Sequence, residues 1–272
     1  MTIGLTARVA RGLEWVAADE VSSALPGGQL TFATREVRFT LPELPPAVGA
    51  LRTVDDVFVV VGAVPDVGRD RRAPSAVAAR ARRLDLAGTV ATVRASRALP
   101  DRPAFDVVAS IDGDRRFNRY DLEDALGATL SPMIGGPYSS RRDGAPPPSD
   151  LTVRVVVTGD GAEVMVRLGA RPLHRRPWKH DTAPATLHPP AAAALLRLAG
   201  SPRRVVDPFA ATAPSRSKRA WPPPASGWQA RTSTAVGWST PGPTRRGPVW
   251  PCHGSGPTPP GDRGTPNPKR PG

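Results

Sequence analysis

Three groups of residues in this chain are of types and at spacings that could do chemistry. Asp207, Pro208 and Phe209 close the run "VVDPFA", in which two β-branched residues lead into a carboxylate and a turn-forming proline. A strand ending this way can present its carboxylate and ring at the carboxyl edge of a sheet, where open α/β folds bind nucleotide-like cofactors. Arg115, Arg116 and Arg119, with Tyr120 beside them, lead into the helical pattern "YDLEDALGATL". A helix N-terminus with guanidinium groups favours phosphate. Arg175, Arg176, Lys179 and His180 surround Trp178 in "RRPWKH"; guanidinium groups pair bidentately with phosphate, and an indole face can stack on a base. The plainer readings are a strand end for the first group and solvated basic surface for the other two. Tyr120 serves equally well as core.

Other chemistry has less support. His174, His180, His188 and His253 do not fall at metal-ligand spacing with other donors, and the single Cys252 rules out an internal disulfide framework and a thiolate cluster. No metal is expected. Asp121, Glu123 and Asp124 read as helix capping and a solvated face rather than as paired catalytic carboxylates. No catalytic residue is assigned.

The elements that must position these residues follow from periodicity. "IGLTARVARGLEWVAADEVSSAL" reads as a strand and then a helix, because Leu13, Val16, Ala17, Val21 and Leu25 recur at three- and four-residue spacing. "QLTFAT" and "TREVRFTLP" read as strands, "PPAVGALRTV" as a short helix and "DDVFVVVGAV" as a buried strand. The β-α-β-β-α-β order over residues 1–65 is the split ferredoxin-like arrangement. Residues 74–87 look helical, "AFDVVASIDG" is a strand, and "YDLEDALGATL" is a helix ended by a proline. "DLTVRVVVTGDGAEVMVRLG" is a hairpin whose Asp-Gly suits positive backbone angles. After an irregular basic connector, "AAAALLRLAG" is a short apolar helix closed by Gly200, and "RRVVDPFA" is a strand.

Composition changes abruptly after that strand. Residues 211–272 hold 14 of the 34 prolines, four of the six tryptophans and the only cysteine, but no Leu, Ile, Phe, Tyr, Met or Glu. Such a stretch cannot bury enough apolar surface to offset chain entropy, so it is expected to be disordered. It also carries +8 of the formal net charge of +13. "WPPP" and "PTPPG" could serve as polyproline ligands, which would make the chain an adaptor. Charges interrupt every apolar run near the N-terminus, and no run of about 18 apolar residues exists. A cytoplasmic location and no membrane partner are expected.

"TARVARGLEWVAADEV", "FDVVASIDGDRRFNRYDLEDALG", "RPLHRRPWKHDTAPATLHPPAAAALLRLAG" and "VVDPFA", in that order and spacing, resemble the THUMP-containing RNA methyltransferases that modify the exocyclic N2 of guanine in tRNA or rRNA. The resemblance covers residues 1–210. It implies an α+β chain: a ferredoxin-like N-terminal domain at 1–65, an RNA-holding THUMP domain at 66–170, and at 171–210 a connector with the first element of a Rossmann-like α/β methyltransferase domain. A disordered basic tail at 211–272 follows. The implied cofactor is S-adenosylmethionine, with Asp207, Pro208 and Phe209 as the remnant of its site. The implied RNA contacts are Arg115, Arg116, Arg119, Arg175, Arg176, Trp178 and Lys179.

In that family the strand-end motif continues into a glycine turn and a helix ending I-E-A. Here Ala210 is followed by "ATAPSRSKRAW", with no glycine, and no Asn-Pro-Pro-Tyr-like motif comes later. The genetic code offers an explanation. When the third base of each codon after Ala210 is read with the first two of the next, the triplets allow G-x-G-[AT]-[VI]-[AP]-I-E-A-G-L-A. Those from Trp228 to Arg245 allow A-G-S-D-L-D and then V-D-A-R-A-N-A. Residues from about 211 therefore read as an out-of-frame translation of a methyltransferase domain. On this reading the chain retains RNA binding but neither S-adenosylmethionine binding nor catalysis. The alternative is a non-catalytic RNA-binding protein with a disordered basic tail.

Overall fold

The protein, seen in a computed structural model, is described over residues 2–144, 148–177 and 186–200. Asp207, Pro208, Phe209, Trp178, Lys179 and the whole of 211–272 lie outside the described residues.

The chain runs β1 (Ile3–Arg8), α1 (Glu14–Ala24), β2 (Leu30–Ala33), β3 (Glu36–Leu41), a 3-10 turn (Pro46–Ala50), β4 (Asp56–Val64), α2 (Ala73–Ala81) and α3 (Leu86–Ser96). It continues through β5 (Phe105–Ile111), α4 (Arg119–Ile134), β6 (Leu151–Thr158), β7 (Gly161–Arg167) and α5 (Pro189–Leu198). The seven strands of the described residues join one mixed sheet in the order β2-β3-β1-β4-β7-β6-β5. Neighbours are antiparallel except β5 and β6. The expected boundary at 65/66 falls just after β4, and β4 pairs with β7, so a single sheet crosses it.

Strand alternation sorts side chains to the two faces. Leu5 and Ala7, Val37 and Phe39, Val57 and Val59, Val153 and Val155, and Phe105 and Val107 point to one face. There they form a continuous core with Val21 of α1, Val77 of α2, Val93 of α3, and Leu122, Leu126 and Leu130 of α4. The opposite face carries Arg8, Arg38, Arg154 and Arg167 set against Glu36, Asp56, Asp106 and Glu163. Arg8 pairs with Glu36, Arg38 with Glu36 and Glu163 at 2.9 Å, and Arg167 with Asp56 at 2.6 Å.

The structure corrects several sequence expectations. The helix expected over 74–87 ends at Ala81, and a second helix, α3, begins at Leu86, where Asp85 caps it by accepting from the Gly88 amide at 2.9 Å. The helix expected to end at its proline runs through Pro132 to Ile134 and stops at Gly135, whose φ of 76° is left-handed. A proline in the last turn removes only one ladder bond, and glycine closes a helix without the Cβ penalty. The hairpin turn is Gly159-Asp160, with the positive φ of 56° on Gly159 rather than on the expected Asp-Gly pair. The short helix in "PPAVGALRTV" is a 3-10 turn.

Candidate nucleic-acid interface

The segment between β5 and α4 carries the first arginine group. β5 ends at Ile111, Gly113 turns the chain with φ of 78°, and buried Phe117 pins the loop to the core before Asn118 opens α4. Asn118 and Asp121 form a reciprocal capping box. The Asn118 side chain accepts from the Tyr120 and Asp121 amides at 2.9 and 3.1 Å, and the Asn118 amide donates to Asp121 at 3.0 Å. Asp121 is thus a cap, as its spacing suggested. Those bonds, and Arg142 beside it, hold its carboxyl below the usual carboxylate range.

The three arginines have different surroundings. Arg115 donates to the carbonyls of Val67 at 2.9 Å, Gly68 at 3.1 Å and Gly159, so its guanidinium ties the loop after β4 to the β6–β7 turn. Arg116 is exposed and has no side-chain partner among the described residues, while its amide holds the Arg69 carbonyl at 2.9 Å. Arg119 lies over the Tyr120 ring, 4.6 Å from its centroid, and donates to the Tyr120 hydroxyl at 2.6 Å.

Two further arginines complete this rim. Arg71, also exposed, joins Arg115, Arg116, Phe117, Asn118 and Asp121 around an open pocket of about 660 Å³. Arg142 stands 5.9 Å from the Tyr120 ring and bonds Asp121 at 2.9 Å and Asp124 at 2.8 Å. Neither stands out in the sequence. The run "GRDRRAP" holds the signal for Arg71, but nothing local shows that it meets a loop some 45 residues later in the chain. Cations lining an open concavity at a helix N-terminus can take up phosphate oxygens, and a ring flanked by guanidinium groups is a surface for stacking.

The second arginine group sits elsewhere. Arg176 donates to the Leu51 carbonyl at 3.3 Å and the Arg52 carbonyl at 2.7 Å, and burial together with Arg52 lowers its pKa. Beside it the His174 amide bonds the Asp55 carbonyl at 2.9 Å, at the start of β4. Arg175 is exposed, its amide turning onto the Pro172 carbonyl. Arg115 grips the loop just past the other end of β4, a nine-residue strand about 27 Å long. The structure therefore does not bring the two groups together.

Of the other acidic residues of α4, Glu123 departs from expectation. It is 1% exposed and faces the sheet edge, where it accepts from the Ala109 amide at 2.8 Å. Burial pushes its pKa up. Burial also raises Asp124, but hydrogen bonds from Ser140, Arg142 and Tyr138 outweigh it and bring the net pKa below the ordinary value. Among the described residues no cluster of three His, Cys, Asp or Glu could hold a metal, and no helix is long and apolar enough to cross a membrane.

No family model matches the chain, and no curated protein matches it. Solved structures do. TrmN from Thermus thermophilus is 29% identical, over 76% of this chain and 58% of that one, with a TM-score of 0.52. A Listeria monocytogenes protein assigned as an N6-adenine-specific DNA methylase is 17% identical, over 73% and 48%, with a TM-score of 0.53. SMU.472, assigned as a methyltransferase and complexed with SAH, is 20% identical, over 75% and 52%, with a TM-score of 0.53. These likenesses place the fold among methyltransferase structures, the last two on fold alone. The chain spans about half the length of the structures it matches.

Proposed function

We propose that this chain is the RNA-holding front portion of a methyltransferase whose complete form transfers a methyl group from S-adenosylmethionine to the N2 of a guanine in tRNA or rRNA. The observation that carries the reading is the rim at the start of α4. There Arg71 and Arg116 are exposed over an open pocket, beside an arginine-flanked Tyr120, on a body similar to TrmN. In this reading residues 1–65 form a ferredoxin-like domain, 66–170 a THUMP domain, and 171–210 the connector and first strand of the catalytic domain. The β2-β3-β1-β4 order of the first four strands supports the first assignment.

The residues beyond Phe209 do not fit the cofactor. Their sequence, "AATAPSRSKRAW", has no glycine at which backbone amides could approach S-adenosylmethionine. Asp207, Pro208 and Phe209 are the remnant of a site whose other walls are missing, and no catalytic step is assigned to this chain. Residues from about 211 are read as an out-of-frame translation.

Two measurements test the proposal. The full chain binds tRNA or rRNA fragments, and replacing Arg71 and Arg116 weakens that binding; RNA affinity indifferent to both residues contradicts it. Resequencing the codons for Asp207 to Trp221 from independent DNA reveals one or two bases missed or added. An unchanged reading shows a naturally truncated, non-catalytic RNA-binding protein instead.

A further inference from the structure

The sheet face turned away from α1 to α4 carries one guanidinium more than its carboxylates engage. Glu36 is held by Arg8 and Arg38, and Glu163 by Arg38 at 2.9 Å. Asp56 is held by Arg167 at 2.6 Å, and Asp106 by Arg141, which reaches it at 2.6 Å from the loop after α4. With these carboxylates taken, the Arg154 guanidinium has no ion-pair partner among the described residues. Of the five N–H donors of a guanidinium, Arg154 gives one to the Ser110 hydroxyl at 3.1 Å, and its Nε–H is buried without a partner. Its guanidinium carbon lies 5.8 Å from the centroid of the Phe58 ring, and that of Arg167 lies 5.7 Å from the same centroid. Two cations thus converge on one ring. Burial first, and then Arg8 and Arg167, lowers the Arg154 pKa, so Arg8 stands within electrostatic reach as well. On the other side of Phe58 the Thr6 hydroxyl, in register with it on β1, is also buried without a partner. An unpaired charge held among like charges costs stability, and so does a buried donor left unbonded. An apolar side chain fills such a position without that cost: Met165, in register with Arg154 on β7, is fully buried.

We propose that Arg154, flanked by Arg8 and Arg167, binds a phosphate-type oxyanion on this open face of the sheet. A guanidinium meets a tetrahedral oxyanion as a bidentate fork, and turning Arg154 about its stem presents Nε–H and an Nη–H together. Arg8 and Arg167 keep their carboxylates and contribute through their charge and their remaining N–H groups. Their side chains are 19% and 18% exposed, so the place is recessed and suits a single small anion. Glu36 and Asp56 also lie within electrostatic reach of Arg154, but each is already neutralised by the arginine that holds it. The α4 rim belongs to the other side of the sheet, where Phe117 and α4 join the core. The oxyanion site therefore stands apart from the RNA reading and needs no cofactor.

The test follows thermal unfolding of the full chain as inorganic phosphate replaces chloride at constant ionic strength, with the phosphorus NMR linewidth as a second readout. The midpoint of the parent protein rises saturably with phosphate, and the phosphate signal broadens. Arg154→Met is the informative variant, because removing an unpaired buried charge leaves the fold intact. In it phosphate affinity falls at least about tenfold, and what remains is the general stabilisation by phosphate that both proteins share. Arg154→Lys keeps the charge without the fork and is also weakened. Arg71→Ala with Arg116→Ala leaves the phosphate response unchanged, which separates this site from the rim. A short oligouridylate that displaces phosphate identifies a phosphodiester as the source of the oxyanion, and one that does not identifies a free phosphate group. Two results overturn the proposal: the parent and Arg154→Met respond to phosphate alike, or the response disappears with Arg71 and Arg116 and survives in Arg154→Met.

Discussion

Arg115 and Arg116 are adjacent in sequence and differ in what substitution should do. Arg115→Ala leaves three carbonyls without their donor and loosens two loops from one another, so it should cost about 2 kcal/mol of stability, read as a lowered midpoint in chemical denaturation. Arg116→Ala should leave stability within about 0.5 kcal/mol, as exposed surface substitutions do. Its effect belongs to RNA affinity, where removing one charge-assisted phosphate bond costs about 1 kcal/mol, roughly fivefold. The sequence marks both as phosphate contacts. It cannot separate them, because the carbonyls that engage Arg115 come from Val67, Gly68 and Gly159, which only the folded sheet brings to it. Glu123 escapes a sequence reading for the same reason: its place in "YDLEDALG" suits a solvated face, and only the packing of α4 on the edge of β5 buries it.

At the scale of elements, α4 depends on two local features. Gly127 faces the Tyr138 ring so closely that a Cβ there would lie 2.4 Å from a ring carbon. Gly127→Ala must displace the ring, and with it the hydroxyl that donates to Asp124 at 2.9 Å, at a cost of about 1–3 kcal/mol. Thermal unfolding checks this. The buried Glu123 carboxyl, its pKa raised by burial, keeps its proton to higher pH in the folded chain than in the unfolded one. Its contribution to stability is therefore fullest below the unfolded pKa and is lost as pH rises through the folded one. Relative to Glu123→Gln, the parent protein should lose stability as pH rises from about 4.5, the ordinary value of the group; a parallel pair of stability curves would contradict this. Strand alternation and helical spacing make most elements legible, including the hairpin before the connector and the helix after it. The break between α2 and α3 is not, because "ARRLDLAG" keeps helical spacing across it and the stop depends on Asp85 serving as a cap. The charged face of the sheet is not legible either, since its ion pairs join strands far apart in sequence. There Arg154 donates to the Ser110 hydroxyl at 3.1 Å and lies 5.8 Å from the Phe58 ring, and burial together with Arg8 and Arg167 lowers its pKa to about 10. Arg154→Met should be neutral or stabilising by about 1 kcal/mol in denaturant unfolding, because it removes a buried charge that has no ion-pair partner among the described residues.

At the scale of the molecule, the chain combines a seven-stranded body with a sequence after Phe209 that departs from what its resemblance requires. The likeness to TrmN and to other methyltransferase structures covers about three quarters of the chain and only about half of each of those proteins. On the proposed reading the body holds RNA and the catalytic half is lost to a shifted frame, so S-adenosylmethionine should show no saturable binding in calorimetry. The most direct test of the account is RNA affinity measured by fluorescence anisotropy across a salt series, for the full chain and for the double variant Arg71→Ala, Arg116→Ala. The account predicts weaker binding by the variant at every salt concentration, and a log-affinity against log-salt slope shallower by about 0.7 for each single-strand phosphate that the variant no longer neutralises. Identical affinities and slopes for the two proteins would contradict it and would move the source of any binding to other basic residues, those at 175–179 or beyond 211.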